Sequence, residues 1–324
     1  MFGPHVLDLD WTAEAARIEE WIRRTVFERF RRRGVVVAMS GGIDSSLCAA
    51  LAARALGPDR VLGLFLPERD SSSDSLRLAT ELAERLGVPH VVEEIAPTLR
   101  AAGCYARQDE AIREVFPEYG PGWKCKLTLP PLLDSDRLNV THLTVEAPDG
   151  RRDTRRPSAK AYLQLVAATN YKQRTRKMTE YYHADRLNYA VVGTPNRLEF
   201  DQGFFVKLGD GAADIKPIAH LYKTQVYALA ARVGVIEEIL RRPPTTDTFS
   251  LPQTQEEFYF ALPYDKMDLC LYAATHGVAA ADVGRALDLT EEQVERVFRD
   301  VRAKRRAADY LRCPPLTVEP IVAE

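Results

Sequence analysis

Residues 40–46 read Ser40-Gly41-Gly42-Ile43-Asp44-Ser45-Ser46. They lie between an apolar β-branched run, Val35-Val36-Val37-Ala38, and a helix-like stretch from Leu47 to Leu56. Glycines let the backbone take positive φ and approach a ligand closely. Free N–H groups at a helix start, aided by the dipole, favour an anion. Serine hydroxyls add donors, and Asp44 can hold a cation that escorts phosphate. The chemistry these residues suit is the cradling of a pyrophosphate, with Ser40, Gly41, Gly42, Ser45 and Ser46 around it. The spacing and lysine of a Walker A loop are absent. A glycine-rich turn with no ligand is the bland alternative; six matching positions in a strand–loop–helix context weigh against it.

Other residues of chemical interest follow along the chain. In the run from Asn170 to Met178, Arg174 and Arg176 place guanidiniums that suit a phosphate or adenine, or form only a basic helical face. Gly193-Thr194-Pro195-Asn196-Arg197-Leu198-Glu199 follows an apolar run, and a glutamate at a strand end can supply a second hard oxygen ligand for magnesium. Gly209-Asp210-Gly211-Ala212-Ala213-Asp214 sets two carboxylates around glycines, for ribose hydroxyls, a cation or simply a tight turn. Lys223 begins a helix, where it can balance pyrophosphate charge. Pro243-Pro244-Thr245-Thr246-Asp247 offers hydroxyl donors in a rigid turn.

The elements that must position these residues alternate. Apolar spacing over 12–33 predicts an amphipathic helix before the first strand. Val61–Leu66 predicts a buried strand, Ser73–Leu86 a helix stopped by Gly87, and His90–Ile95 a third strand. Tyr162–His183 predicts a long helix and Tyr189–Gly193 a fourth strand. Strands separated by helices imply an α/β fold with a doubly wound parallel sheet and helices on both faces. Ligands of such sheets bind beyond the carboxyl ends of the strands. The chain is expected to be a single domain over 1–324, with an insertion at 117–158 and a helical C-terminal portion at 253–312. Leu138–Val145 followed by Pro148-Asp149-Gly150 predicts a strand and hairpin in the insertion, serving as a lid or binding element, or as surface decoration. Thr290 is the expected N-cap of the last helix.

Bulk properties narrow the class. The chain has 324 residues, 46% hydrophobic and 28% charged, with a net charge of −2, which gives no global electrostatic case for nucleic acid. No apolar run approaches a membrane span, and the N-terminus lacks the pattern of a secretory signal. Five scattered cysteines without a C-x-x-C pair fit a reducing cytoplasm and argue against a zinc site or disulfide framework.

The Ser40–Ser46 loop resembles the SGGxDS loop of the PP-loop ATP pyrophosphatases, which cut ATP to AMP and pyrophosphate while activating a carboxylate as an adenylate. The order of the loop, the Arg174/Arg176 run, G-T-x-N-x-x-E, G-D-G-x-x-D, Leu221-Tyr222-Lys223-Thr224 and P-P-T is similar to that of the ammonia-dependent NAD synthetases, over roughly 33–115 and 160–312. The resemblance implies ATP and magnesium as co-substrate and cofactor, with deamido-NAD and ammonia as substrates. It implies that Asp44 and Glu199 bind magnesium, and that Ser40, Gly42, Ser45, Ser46 and Arg174 hold ATP. Lys223 and Thr245 would hold the departing pyrophosphate, and Thr194 would lie against the nucleotide or reacting carboxylate. Arg176, Lys207, Asp210 and Asp214 would face the acceptor and ammonia. It further implies a homodimer, with the N-terminal and long central helices as candidate interface.

The chain departs from the family at Val206 and Leu208, usually threonine and tyrosine. It also departs at Gln255-Glu256-Glu257-Phe258, where the family carries a D-E-x-E-L-G run, and in the insertion. These changes touch the acceptor side, so another carboxylic acid stays open as substrate. Only about 30 residues precede the first strand, too few for a nitrilase-like module. Free ammonia, or ammonia from a separate glutaminase, is therefore expected. A tRNA sulfur-transfer enzyme, a non-catalytic nucleotide sensor and a helix-turn-helix DNA binder at 279–306 are the rival readings.

Overall fold

The computed structural model describes residues 2–130, 132–133, 141–245 and 248–319. The start of the predicted hairpin strand at Leu138–Val140, and Thr246 and Asp247, lie outside these residues.

The chain runs α1 (Trp11–Arg24), β1 (Val35–Ala38), α2 (Ile43–Leu56), β2 (Val61–Phe65), α3 (Ser73–Leu86), β3 (His90–Val92), α4 (Ala96–Ala101) and α5 (Cys104–Arg113). The strands β4 (Lys124–Thr128), β5 (His142–Glu146) and β6 (Arg152–Arg155) come next. Then follow α6 (Ala159–Leu187), β7 (Ala190–Val192), α7 (Arg197–Gln202), α8 (Lys223–Arg232), α9 (Glu237–Arg241), α10 (Tyr264–His276), α11 (Ala280–Leu287) and α12 (Glu291–Arg312).

The main sheet is parallel, in the order β3-β2-β1-β7. Alternation along β1 divides two cores. Val35 and Val37 pack with α1, α2, α3 and α8. Val36 packs on the other face with Leu99, Cys104 and Ala184 of α4, α5 and α6. The sheet is therefore covered on both faces, as its apolar strands require. From β1 the chain moves outward to β2 and β3, then returns to add β7 on the opposite side. The switch in direction falls between β1 and β7, and the crevice at their carboxyl ends is where such sheets bind ligands.

Most expected elements form, and the differences have local causes. The third strand stops at Val92 rather than Ile95, because Pro97 at the second position of α4 starts a helix there. Helices α4 and α5 were not expected; both are short, and Gly103 in left-handed conformation separates them. The long helix is longer at both ends, with the Ser158 side chain capping its start and Asn188, at φ 56°, ending it. Thr290 caps α12 as expected, accepting from Gln293 N at 3.2 Å.

The segment 117–158 holds a separate antiparallel sheet, β4-β5-β6. Pro148-Asp149-Gly150 forms the predicted turn, with Gly150 at φ 83°. Cys125, Leu127, Leu143 and Val145 alternate inward and pack against Ile112, Phe116, Leu165 and Phe249. The outer strand β6 is exposed and mostly charged, which protects its edge from pairing. The C-terminal helices make their own core around Leu198, Phe260, Met267, Val297 and Val301. Among the described residues no helix is long and apolar enough to cross a membrane.

Candidate active site

A cavity of about 730 Å³ opens at the carboxyl ends of β1 and β7. That is toward the upper end of the ~300–1,000 Å³ typical of small-ligand sites. Ser40, Gly42, Asp44, Ser45, Arg176, Thr194, Glu199, Asp210 and Thr245 all line it. Sequence positions from 40 to 245 thus meet around one space.

The loop after β1 is held by its own side chains. Ser45 Oγ accepts from Ser40 N at 3.2 Å and donates to Gly42 O at 3.1 Å, and Gly42 N donates to Ser40 Oγ at 3.3 Å. Only one of the two glycines has positive φ: Gly41 at 72°, against −91° for Gly42. A Cβ on Gly41 would lie 2.4 Å from Ser75 O, so α3 packs where a side chain would be. Gly42 is the N-cap of α2, whose first N–H groups have no side-chain cap. The Ser46 hydroxyl is buried with no protein partner. Uncapped helix N–H groups and a spare hydroxyl suit an anion.

Three carboxylate and cation side chains converge at the next level. Asp44 accepts from Asn196 Nδ2 at 2.9 Å through one oxygen and pairs with the Lys223 ammonium through the other. Lys223 is fully buried at the start of α8. Burial pulls its proton affinity down, but Asp44 and Glu199 outweigh that and raise it. Asp268 of α10 anchors this helix start, accepting from Lys223 N at 3.2 Å and Thr224 N at 2.7 Å.

Glu199 completes a capping box with Asn196 at the start of α7; one oxygen accepts from Asn196 N at 3.0 Å and the other from Gln255 Nε2 at 3.1 Å. Each carboxylate oxygen keeps a second lone pair. Burial first, and Asp44 second, push Glu199 up to about 8 against the opposing pull of Lys223. A buried carboxylate raised by a second carboxylate beside it marks a place where a dication is favoured. Magnesium is commonly held by one or two protein carboxylates plus phosphate oxygens, so Asp44 and Glu199 fit it.

The direction of the Glu199 shift makes a prediction. Because the folded value lies above the unfolded one, the folded state binds more protons between about 4.5 and about 8. That stability is fully present below about 4.5 and is lost as pH rises through about 8. Asp268, pushed up to about 6 chiefly by burial, acts in the same direction. The difference between wild type and Glu199→Gln isolates the Glu199 part. In metal-free urea titrations at pH 5 and pH 9, the variant should lose less stability than wild type on going to pH 9. Equal losses would place Glu199 in water.

Arg176 lines the cavity, with Nε donating to Leu66 O at 3.4 Å. Asp210 lines it too, accepting from Val206 N at 2.7 Å, and burial raises its proton affinity above the usual carboxylate value. The buried pair Lys177–Glu180, 2.7 Å apart, stands on the same wall.

Six predicted residues do not line the cavity: Gly41 and Ser46 lie in the loop and helix behind its wall, Lys223 stands behind Asp44, and Arg174, Lys207 and Asp214 point elsewhere. Arg174 is exposed, its Nε donating to Lys207 O at 3.3 Å. Two helical residues turn it about 200° from Arg176, so both cannot face one side of α6. Lys207 donates to Tyr310 O at 2.8 Å and Cys313 O at 3.1 Å, at the carbonyl end of α12 where a cation is favoured. Asp214 is exposed and accepts from Val191 N at 2.7 Å, tying the segment before Ile215 to β7. Arg174 and Lys207 instead share a smaller neighbouring cleft with Phe205, Leu208 and Tyr310.

Sequence reasoning assigned no role to Asn196, Gln255 or Asp268. Asn196 had a readable signal, since N-x-x-E before a helix is a capping pattern. Gln255 and Asp268 had none. In the rival helix-turn-helix reading, the basic run Lys304-Arg305-Arg306 that ends it is partly internal: Lys304 pairs with Asp300 at 2.7 Å, and Arg305 binds Asp201. Little of it is left to meet a nucleic acid.

A doubly wound sheet with an SGGxDS loop at its switch point defines a nucleotide-binding PP-loop protein. The family model described as NAD synthase matches residues 14–116 and 136–308, and the chain belongs to that family. An NH(3)-dependent NAD(+) synthetase of Mesorhizobium japonicum is 63% identical over 96% of this chain and 98% of its own length. One from Thermotoga maritima is 36% identical over 91% of this chain and 95% of its own. Among solved structures, the NH3-dependent NAD synthetase from Campylobacter jejuni superposes with a TM-score of 0.61 at 22% identity, over 96% of this chain and all of that one. An NMN synthetase from Francisella tularensis matches with the same score and identity, covering 96% and 99%. These structural likenesses show the fold.

Proposed function

We propose that this chain joins ammonia to the nicotinate carboxylate of deamido-NAD, consuming ATP and releasing NAD, AMP and pyrophosphate. The observation that supports the reading is the meeting of Ser40, Gly42, Asp44, Ser45, Thr194, Glu199, Asp210 and Thr245 at one switch-point cavity, with Lys223 paired to Asp44 behind it, in a chain of the NAD synthase family. A carboxylate is a poor electrophile. An oxygen of the acceptor carboxylate therefore attacks the α-phosphorus of ATP, pyrophosphate leaves, and a mixed anhydride forms. Ammonia then attacks the carbonyl carbon, and AMP leaves with the former carboxylate oxygen.

Each residue has a task in this scheme. Ser40, Gly41, Gly42, Ser45 and Ser46 donate to ATP phosphates through hydroxyl and backbone groups. Lys223 and Thr245 balance the departing pyrophosphate. Thr194 lies against the reacting groups, and Arg176 binds the acceptor. Asp210, made more basic by burial, takes the proton from ammonium. Asp44 and Glu199 hold magnesium, which supplies charge neutralisation on the phosphates. We assign Arg174, Lys207 and Asp214 to parts of a ligand that extend beyond the cavity.

We also assign a homodimer. The supporting observation is a row of apolar side chains on one side of α6: Leu163, Met178 and Tyr182, each 60–65% exposed. Helical spacing puts them within about 100° of one another. The N-terminal helix is a weaker candidate, since Ile18 and Ile22 are already buried on α2. Met178→Asp with Tyr182→Asp should convert the dimer to monomer in sedimentation at micromolar protein; an unchanged dimer places the interface elsewhere. Four buried free thiols suit a reducing cytoplasm. We treat 1–324 as one domain, with 117–158 inserted and 253–312 as its helical end.

The test is mass-spectrometric detection of NAD from deamido-NAD, ATP, magnesium and ammonium, with AMP counted alongside. NAD and AMP in equal amounts are expected. ATP binding without NAD formation would move the search to other carboxylates.

A further inference from the structure

We propose that the inserted sheet is a strut that fixes the 248–258 segment across the cavity, and that Gln255 on this segment is a positioning residue for Glu199. The proposal rests on the reading of Glu199 as a magnesium ligand.

Residues 248–253 have no regular structure of their own and lead into a short π-helical turn at Glu256–Phe260, and segments of this kind are usually mobile unless something holds them. Here β4 holds it. Cys125 N donates to Ser250 Oγ at 2.9 Å, and Leu251 N donates to Cys125 O at 3.0 Å. The buried Gln253 amide donates to Leu127 O. Leu129 N donates to Glu257 O at 2.9 Å, and Lys126 pairs with Glu257 at 3.3 Å. At the other side, Lys172 of α6 donates to Thr248 O at 2.8 Å. The edge of β4 therefore satisfies the backbone that an unsupported loop would leave to water.

Gln255 sits in the middle of this tethered stretch. Its Nε2 donates to Glu199 Oε1, and its Oε1 accepts from Tyr264 OH at 2.8 Å, which fixes which end of the amide faces the carboxylate. With Asn196 N on the other oxygen, the Glu199 carboxylate is held from both sides. The amide is neutral, so it orients Glu199 without adding a third carboxylate beside Asp44. Leu127, Leu129 and Thr141 of the insertion also line the cavity itself, so the strut reaches the site it braces.

Two variants separate strut from contact. Gln255→Ala removes the contact to Glu199. The pair Ser250→Ala/Gln253→Ala cuts two side-chain ties to β4 and leaves every residue of the proposed chemistry in place. Ser250→Thr keeps the hydroxyl and serves as the conservative control. Hydrogen exchange is measured on the full chain, with β1 as internal reference, and the magnesium concentration for half-maximal rate is measured beside the deamido-NAD KM.

The double variant should speed exchange over 248–258 at least tenfold while β1 stays protected. Both it and Gln255→Ala should raise the magnesium requirement about tenfold, with the deamido-NAD KM within twofold of wild type. The Thr variant should match wild type in all readouts. Unchanged exchange in the double variant overturns the strut. Faster exchange with an unchanged magnesium requirement overturns the positioning role of Gln255. If Glu199→Gln itself keeps the wild-type magnesium requirement, the reading of Glu199 has failed; the positioning role falls with it, and exchange alone decides the strut.

Discussion

Asp44→Ala should abolish ATP-dependent formation of NAD and AMP, lowering turnover by on the order of a thousandfold or more. Metal charge on reacting phosphates supplies several kcal/mol, and each ~1.4 kcal/mol is tenfold in rate. Two effects add to this. The buried Lys223 ammonium loses its nearest partner, and the Asn196 amide loses its acceptor. Removing one member of a buried pair costs about 3–5 kcal/mol, so the variant should also unfold at lower urea. The proton affinity of Lys223 should fall, because Asp44 is the leading group that holds it up against burial. Asp44→Asn separates the effects, since it keeps the shape and an oxygen for Asn196 while removing the charge. Loss of turnover in a folded Asp44→Asn protein supports the metal assignment. Full activity in Asp44→Ala would end it.

Lys172→Met should cost the largest share of stability of any single change away from the cavity chemistry, about 3–5 kcal/mol. Lys172 is fully buried and its ammonium has three partners: Glu68 at 3.0 Å, Asp70 at 2.6 Å and Thr248 O at 2.8 Å. Methionine fills similar space but leaves two carboxylates facing each other in the interior. Burial pushes Asp70 up, yet Lys172 and Arg69 outweigh it and hold its carboxyl below the usual value. That contribution is present above about 3.8 and is lost as pH falls through the lower folded value. The variant should therefore lose stability most near neutral pH, where Asp70 is charged and its favourable pairing with Lys172 is gone. Glu68→Gln and Asp70→Asn added to Lys172→Met should recover part of the loss. Urea midpoints at pH 7 measure it, and a cost below about 1 kcal/mol would show that the three charges are solvated.

The class of fold and the phosphate-binding loop were legible in the sequence because both depend on short-range pattern. Apolar runs alternating with helical stretches, as in 35–56, 61–86 and 162–193, permit little besides a parallel sheet with helices on its faces. The Ser40–Ser46 loop needs only its own residues to form: Gly41 for the positive φ, Ser45 for the hydrogen bonds back to Ser40 and Gly42. The caps at Ser158 and Thr290 are local in the same sense. Two short helices at 96–113 and the strand at 124–128 escaped notice, being too brief to show a period.

What the chain order could not decide is which distant residues face one another. Asp44 meets Asn196 across 152 positions and Lys223 across 179. Gln255, a departure from the family's acidic run, reads in the sequence as a change on the acceptor side, and the fold sets it against Glu199. Arg174 and Arg176 look equivalent in the sequence, yet helix geometry sends them to opposite sides of α6. Lys207 and Asp214 carry charge in the right neighbourhood but answer to a helix end and a strand edge. The residue types and their local conformation were set by the sequence read in short windows. Their partners, their burial and hence their proton affinities depend on long-range packing, because only the folded chain removes water from these groups and chooses the charge that replaces it.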